Sequence, residues 1–524
     1  MKSKALFILP AHNSDYDSWK SPAWAHSRIP PISLISIMSY LHSCGHETKL
    51  VDSRQLIFYY KTNDYLPIVS KIVRDFNPDV VGISMLTALF DETKEVVEHL
   101  KKEFPHIPII AGGPHPSIEP LLTFEQNKYL DAICVGPGEE VCLDILEGRK
   151  MGEIPGLMVR GAFETYKKRD VELNIDKYPF PDYHLVSHSF YSAYSTGTTF
   201  GWLTRSLSVI TSRSCPYSCK FCASDWSKPV RFHSADYVIE LGKYLSTFDI
   251  TTIVFFDDSI ALKENRLMKI CEGFIRSKLF LPYGRLRWYT ALRANQAKPD
   301  LLKMMKAAGC FNVSIGIESG SDQTLKSLNK KTTVEQNRQA CAYVKEAGLD
   351  LGASFMGGVP GETEEEIRKT FSFMQEINTN SKGFGCFRPL PGSPFYYELL
   401  EKGLLKKEEI DWSNLGNFSI PPKDAFCNIE RDKLVELLNE GSKLAYANQW
   451  VAVHEDTAEQ CPALLKEVSS FREVRISSLS NFNSETHRKY VNTENNKLAL
   501  VKAKLIRLRA KLDRFKVEQA RLNK

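Results

Sequence analysis

The chain has 524 residues, 43% of them hydrophobic and 25% charged, which is the balance of a globular protein of two or three domains. Its longest apolar runs, such as "VVGISMLTALF" at 80–90, are too short to span a bilayer, and its twelve cysteines are too scattered for a disulfide framework. The net charge of +5 sits in the tail, where residues 497–524 carry ten Lys/Arg against two Asp/Glu, so nothing implies nucleic-acid binding by the main body.

Residues 1–150 alternate short apolar runs with helical periods. "KALFILP" (4–10), "ETKLVDS" (47–53), "DVVGISM" (79–85), "IPIIAGG" (107–113) and "DAICVG" (131–136) read as buried strands. Helical patterns such as "PPISLISIMSYLHSCG" and "DETKEVVEHLKKEF" separate them. Five strands with intervening helices predict a doubly wound parallel sheet. Ligands in such sheets sit at the C-terminal strand ends. Those ends carry Ser84 and Thr87, then Gly112 and Gly113 in "GGPHPS", then Gly136, Gly138 and Glu139 in "GPGEE". No GxGxxG follows the first strand, which argues against a dinucleotide.

Residues 151–205 read as a connector with a small hairpin at "IPGLMVRGAF". Residues 206–390 alternate again. Six strand candidates begin with "LSVITSR" and end with "KGFGCFRP", and helical patterns cover 234–247, 263–277, 299–308, 334–347 and 363–378. Six strands with five crossovers in one run predict a partial (β/α)6 barrel of the TIM type. The region from 391 reads as mostly helical. Leu498, Val501, Leu505, Leu508, Leu512 and Phe515 alternate three and four apart, a coiled-coil seam suited to self-association or to a terminal helix lying on its own domain.

Directly after the first barrel strand comes "TSRSCPYSCKFCAS", with Cys215, Cys219 and Cys222 as CxxxCxxC and no fourth cysteine nearby. A structural zinc site takes four protein ligands. Four-iron clusters are normally held by four thiolates, so three leave one iron open for chemistry. The C-terminal face of a barrel is where active sites form. Pro216 and the loop's aromatics are expected to shield such a cluster from water.

This stretch, with "FFDDS", "SIGIESGS" and "GGVPGET" following in order, resembles the radical S-adenosylmethionine superfamily. The front segments "PPISLISIMSYL", "DVVGIS", "AGGPHPS" and "VGPGEE" resemble the cobalamin-binding domain at the head of one branch of it. Together the resemblance covers roughly residues 1–400. It implies a cobalamin-binding domain at 1–150, a connector at 151–205, a radical S-adenosylmethionine barrel at 206–390 and a helical region at 391–524. It implies a [4Fe–4S] cluster on Cys215, Cys219 and Cys222, whose open iron chelates S-adenosylmethionine. Phe221, Asp257, Arg293, Glu318, Ser319, Gly357, Gly358 and Pro360 become candidate contacts to that molecule, with Asp258 and Gly361 beside them. For Asp258 a helix N-cap is the competing reading. Ser84, Thr87, Gly112, Gly113, Gly136, Gly138 and Glu139 become candidate cobalamin contacts.

Cobalamin mutases ligate cobalt through the histidine of DxHxxG. The nearest string here, "DYHLVS" at 182–187, lacks the glycine, so the resemblance implies cobalamin without that ligand, leaving His12 and His115 as alternatives. The activity implied is methylation of an unactivated carbon in a small-molecule substrate. A ring-forming or oxidative enzyme and an inert cobalamin-binding protein are the alternatives. An electron donor such as flavodoxin or ferredoxin and a cytoplasmic location complete the expectation, with no nucleic acid and no transmembrane segment.

Overall fold

A computed structural model describes residues 2–11, 29–60, 62–187, 190–191, 205–223, 228–377, 379–416 and 423–446, together with short strands at 202–203, 450–454, 473–477 and 489–490. The heptad seam of the tail and His12 lie outside the described residues.

The front sheet has six strands: β1 (Lys4–Leu9), β2 (Glu47–Asp52), β3 (Val80–Ser84), β4 (Ile109–Gly112), β5 (Ala132–Cys134) and β6 (Leu157–Val159). Their order is β2-β1-β3-β4-β5-β6. The first five are parallel, and β6 runs antiparallel to β5, with Ala132 opposite Val159. The hairpin expected at 154–163 is therefore this edge strand. Its three residues pair with a strand already in the sheet instead of with each other.

β1 is buried along five of its six residues, as a central parallel strand covered on both faces must be. Leu6, Ile8, Val81 and Ile83 pack on one side with Val96, Val97 and Leu100 of α2 (Phe90–Glu103). Ala5, Phe7, Val80 and Ile110 pack on the other with α1 (Ile32–Ser43) and α3 (Glu139–Leu146). Strand order reverses at β1, which puts the ligand crevice above β1, β3 and β4.

The second sheet runs β7 (Ser206–Val209), β8 (Thr252–Phe255), β9 (Arg287–Leu292), β10 (Cys310–Glu318), β11 (Asp350–Gly357) and β12 (Ser381–Cys386). Each strand is parallel to the next and neighbours meet in sequence order, the arrangement of an open barrel. The crossovers include α4 (Ala235–Leu245), α5 (Glu264–Ser277), α6 (Pro299–Ala307), α7 (Val334–Glu346) and α8 (Glu364–Glu376). Fully buried Trp288 fills the layer between strands and helices, edge-on to Phe255, with its indole N–H donating to Ala308 O at 2.9 Å. α9 (Arg431–Tyr446) covers β12, one of the two edge strands of this sheet. Gly441 permits the approach, because a Cβ there would stand 2.4 Å from the Phe384 ring.

Beyond the helices expected after 391, Trp450–His454 and Glu473–Ser477 are strands. They form a small third sheet with 202–203 and 489–490. Among the described residues no helix is long and apolar enough to cross a membrane.

Candidate active site

The cysteine loop leaves β7 through a braced turn. Thr211 donates to Asp257 Oδ1 from its backbone N–H (3.1 Å) and its hydroxyl (3.0 Å), and the Ser212 hydroxyl donates to the same oxygen. Arg266 holds the turn from the other side, donating to Thr211 O at 3.0 Å and to His233 O at 2.6 Å. Asp257 thus places the loop, and its Oδ2 is buried without a protein partner. Its neighbour Asp258 faces the cavity described below. Asp258 is not an N-cap: the short helical turn after β8 starts at Ile260 and is preceded by Ser259.

Ser214 takes a left-handed backbone (φ +72°), which swings the chain into the cysteine loop. Cys219 is buried, while Cys215 and Cys222 are half-buried. The loop is tied down by Lys220 N–H to Leu328 O (2.9 Å), Asn329 Nδ2 to Ser218 O (2.8 Å) and Phe395 N–H to Lys220 O (2.9 Å). Pro216, expected to shield the site, is exposed; Tyr217 and Phe221 are the half-covered aromatics of the loop. Burial, with Asp258 and Cys222 nearby, pushes the Cys215 thiol up, although the Tyr217 N–H pulls it down. Among the described residues no three His, Cys, Asp or Glu side chains converge as a cage for a single ion. A cluster makes a different demand, one thiolate on each of three separate irons.

Arg293, at the end of β9, is buried. Its Nη1 donates to Cys219 Sγ at 3.2 Å, its Nη2 donates to Lys330 O, and the guanidinium lies 3.8 Å from the Tyr217 ring centroid. Its Nε is buried without a protein partner. Glu318 ends β10 at a register shift and has φ +70°. A non-glycine residue in that region signals an enforced conformation. The carboxylate meets Lys330 Nζ at 2.6 Å, both side chains at most 10% exposed. Gly316 makes room, since a Cβ there would stand 2.6 Å from Glu318 Oε1. Lys330 Nζ also lies 5.6 Å from the Phe221 ring centroid.

Ser319 turns away from the site to Thr370 of α8 (2.9 Å). In the turn after β11, Gly358 and Val359 donate their N–H groups to Glu362 Oε2 at 2.7 and 3.1 Å. Burial pushes the Glu362 carboxyl up to about 7 against those bonds. Gly358 (φ +81°) requires glycine, and Gly357 lies under the Phe384 ring, which a Cβ would meet at 2.9 Å.

Between the two sheets lies a cavity of about 390 Å³, within the roughly 300–1,000 Å³ of small-ligand pockets. The front sheet contributes Ser84, Gly112, Gly113, Gly136, Gly138 and Glu139. The barrel side contributes Arg213, Ser214, Arg231, His233 and Asp258, and the connector gives Tyr178. The cavity continues as an apolar slot between the sheet and helices α1 and α3, along Phe7, Ile37, Gly82 and Val141. Gly82 keeps the slot's floor flat, because a Cβ there would stand 2.8 Å from the Phe7 ring, and the space at Gly136 is open.

Thr87 is not on this cavity; its hydroxyl meets His115 Nδ1 at 3.2 Å. His115 is fully buried, edge-on to Trp412 and 4.9 Å from the Phe90 ring, and burial pulls its pKa down to about 4. His184 of "DYHLVS" stacks on Phe248 and does not line the cavity.

Glu139 is the pivot of the cavity wall. Its Oε1 accepts from Arg213 Nη2 at 2.5 Å, and the side chains are 4% and 23% exposed. Burial pushes Glu139 up, but Arg213 together with a backbone N–H and Arg231 holds the carboxyl below the usual range; burial lowers Arg213, and Glu139 together with Tyr178 and Tyr237 raises it overall. Arg213, Lys330, Arg266 and Glu362 escaped the sequence reading. Of these Arg213 had a signal, its place two residues before Cys215, and Glu362 had another, its place within "GGVPGET".

Residues 209–374 match the model of the radical SAM superfamily, and residues 23–146 match that of the B12 binding domain. The chain is 30% identical over 387 residues to the uncharacterized methyltransferase PH0819 of Pyrococcus horikoshii, covering 72% of this chain and 80% of the relative. It is 24% identical over 416 residues to the anaerobic magnesium-protoporphyrin IX monomethyl ester cyclase of Rubrivivax gelatinosus, covering 76% and 70%. Its fold is that of the radical S-adenosylmethionine methyltransferase TsrM from Kitasatospora setae, solved with cobalamin and a [4Fe–4S] cluster (TM-score 0.64, 18% identity, 77% and 78% covered).

Proposed function

This chain belongs to the radical SAM superfamily, in the branch headed by a B12 binding domain, and we propose that it methylates an unactivated carbon of a small molecule. It is an enzyme whose cofactors are a [4Fe–4S] cluster, S-adenosylmethionine and cobalamin. The observation that carries the reading is one cavity walled on one side by the C-terminal edge of the front sheet and on the other by the residues entering the cysteine loop. When bound, the cluster with S-adenosylmethionine supplies one-electron hydrogen abstraction and cobalamin supplies the methyl group.

In this proposal Cys215, Cys219 and Cys222 hold three irons. The unpartnered Arg293 Nε and the Lys330–Glu318 pair beside Phe221 offer charges for the polar end of S-adenosylmethionine. Gly357, Gly358 and Pro360 give it a close backbone surface. Asp257 acts through the loop it braces, and Ser319 through α8. Ser84, Gly112, Gly113, Gly136 and Gly138 floor the cobalamin site, and the slot past Gly82 receives its appended nucleotide. Thr87 serves through His115.

The test is anaerobic reconstitution. About four irons per chain and bound cobalamin are expected, with both the iron–sulfur absorbance and S-adenosylmethionine cleavage lost when the three cysteines become alanine. A cluster that survives in the triple variant overturns the assignment. The cyclase relative keeps a second reading open, ring formation or oxidation. Product mass separates the two, a net gain of CH2 as a methyl group replaces a hydrogen against a loss of hydrogen or uptake of oxygen.

A further inference from the structure

Both halves of the molecule carry part of the cavity, so their spacing matters to whatever binds between them. Glu139 and Arg213 are a charged pair that crosses that boundary largely buried. Glu139 stands at the first position of α3, after the glycine-rich turn of the front sheet, and Arg213 stands in the two-residue strand leading to Cys215. Neither end is loose. Gly138 is pressed against α1, where a Cβ would meet Ile37 at 2.9 Å, and Tyr40 of α1 bonds Glu140 at 3.0 Å. On the other side Asp257 holds Thr211 and Ser212, the backbone of Ser212–Arg213 runs antiparallel to a second short strand, Arg231–Phe232, and the Tyr178 ring centroid lies 5.5 Å from the Arg213 guanidinium.

We propose that the Glu139–Arg213 ion pair is a positioning link that fixes the cavity loop after β5 against the cysteine loop, and so sets one spacing between the two halves of the active site. The link itself stands on the geometry; its consequence for cofactors rests on the function proposed above. Glu139, a ligand contact by sequence, thereby becomes a residue acting through Arg213. A carboxylate so buried is costly unless paired, so the pair acts as one unit.

The experiment places nitroxides, carried on a noncanonical amino acid, at exposed Leu121 of the front domain and exposed Tyr283 of the barrel. Double electron–electron resonance then reads the distance between halves in the full chain without cofactors. Unaltered protein should give one narrow distribution. E139Q and R213Q should each broaden it, the double variant should be no broader than the worse single, and the charge-swapped E139R/R213E should recover a narrow peak. R213K, which keeps the charge, covers the case in which R213Q does not fold, and intermediate broadening is expected. Unchanged distributions in the folded single variants, or additive broadening in the double, overturn the proposal.

A second readout uses reconstituted holoprotein and the dipolar coupling between reduced cluster and cob(II)alamin. A spread of couplings in E139Q with both cofactors retained extends the link to their spacing, and an unchanged coupling refutes that extension. Failure of the unaltered protein to bind cobalamin counts against the proposed function and leaves the nitroxide result standing.

Discussion

Arg293 donates from Nη1 to Cys219 Sγ at 3.2 Å while its guanidinium stacks on Tyr217 at 3.8 Å. The contact is buried and charge-assisted, and the aromatic face holds the cation in place. Hydrogen bonds to the sulfurs of an iron–sulfur centre favour its reduced form, because a positive partner offsets the added electron. Arg293→Met should therefore lower the midpoint potential of the reconstituted cluster. Arg293→Lys, which keeps the charge without the planar fork, should fall between. Potentiometric titration followed by electron paramagnetic resonance reads this directly, and an unshifted midpoint in Arg293→Met with the cluster intact refutes it.

Lys330 and Glu318 form a pair that is nearly dry. Removing the cation leaves a buried carboxylate on a residue already in a left-handed conformation. Lys330→Met should cost about 3–5 kcal/mol of stability, the usual range for breaking a buried pair. The double replacement Lys330→Met/Glu318→Leu should recover much of that loss in chemical denaturation while still failing to bind S-adenosylmethionine by calorimetry. Retained affinity in the double variant would show that the pair serves packing alone.

The Glu362 carboxyl is raised from 4.5 to about 7. The folded state therefore binds this proton more tightly than the unfolded chain. The stability linked to Glu362 is fully present below pH 4.5 and is lost as pH rises through about 7. The upper limit of the change is about 3 kcal/mol. Glu362→Gln should flatten the wild-type decline between pH 5 and 8 in urea midpoints. An identical slope in the variant would mean that another group carries the pH dependence. The same substitution leaves the Gly358 and Val359 N–H groups one carbonyl acceptor, so the turn should persist.

The strands and crossovers were legible in the sequence because their apolar runs are bounded by turn residues: "TTIVFFDD" contains β8, and "PDLLKMMKAAG" contains α6 between its proline and its glycine. The cysteine triad was legible because its spacing has few other uses. Side-chain direction was not. Asp257 and Asp258 are adjacent and chemically identical, yet one braces Thr211 and the other faces the cavity. Glu139 read as a ligand contact because its partner, Arg213, is 74 residues away in sequence. Lys330 sits in "LNKKTT", a string that reads as a solvated turn until the fold brings it under Glu318. β6 was misread because three residues specify a strand only through the edge they join.

His115 is the one described histidine in the loops at the C-terminal edge of the front sheet, and it does not reach the cavity. Its Nδ1 is bonded to Thr87, Phe90 and Trp412 enclose its ring, and the Trp412 indole is anchored by donating to Gln126 at 2.9 Å. Burial holds its pKa near 4, so the ring is neutral at physiological pH. Turning it toward the cavity would break the bond to Thr87 and open a void beside Trp412. Cobalt bound at the Gly112–Gly113 edge should therefore carry no nitrogen from His115. The check is electron paramagnetic resonance of the cob(II) form, prepared with and without nitrogen-15 in the protein's histidines. The superhyperfine pattern should be the same in both samples. His115→Ala should keep that spectrum while losing about 2–4 kcal/mol of stability, the order expected when a large buried side chain is removed from a packed core. A pattern that changes with the label would place a histidine on the metal: its loss in His115→Ala would require the Thr87–His115–Trp412 packing to rearrange when cobalamin binds, and its persistence there would point to another histidine, such as His12 or the cavity-lining His233.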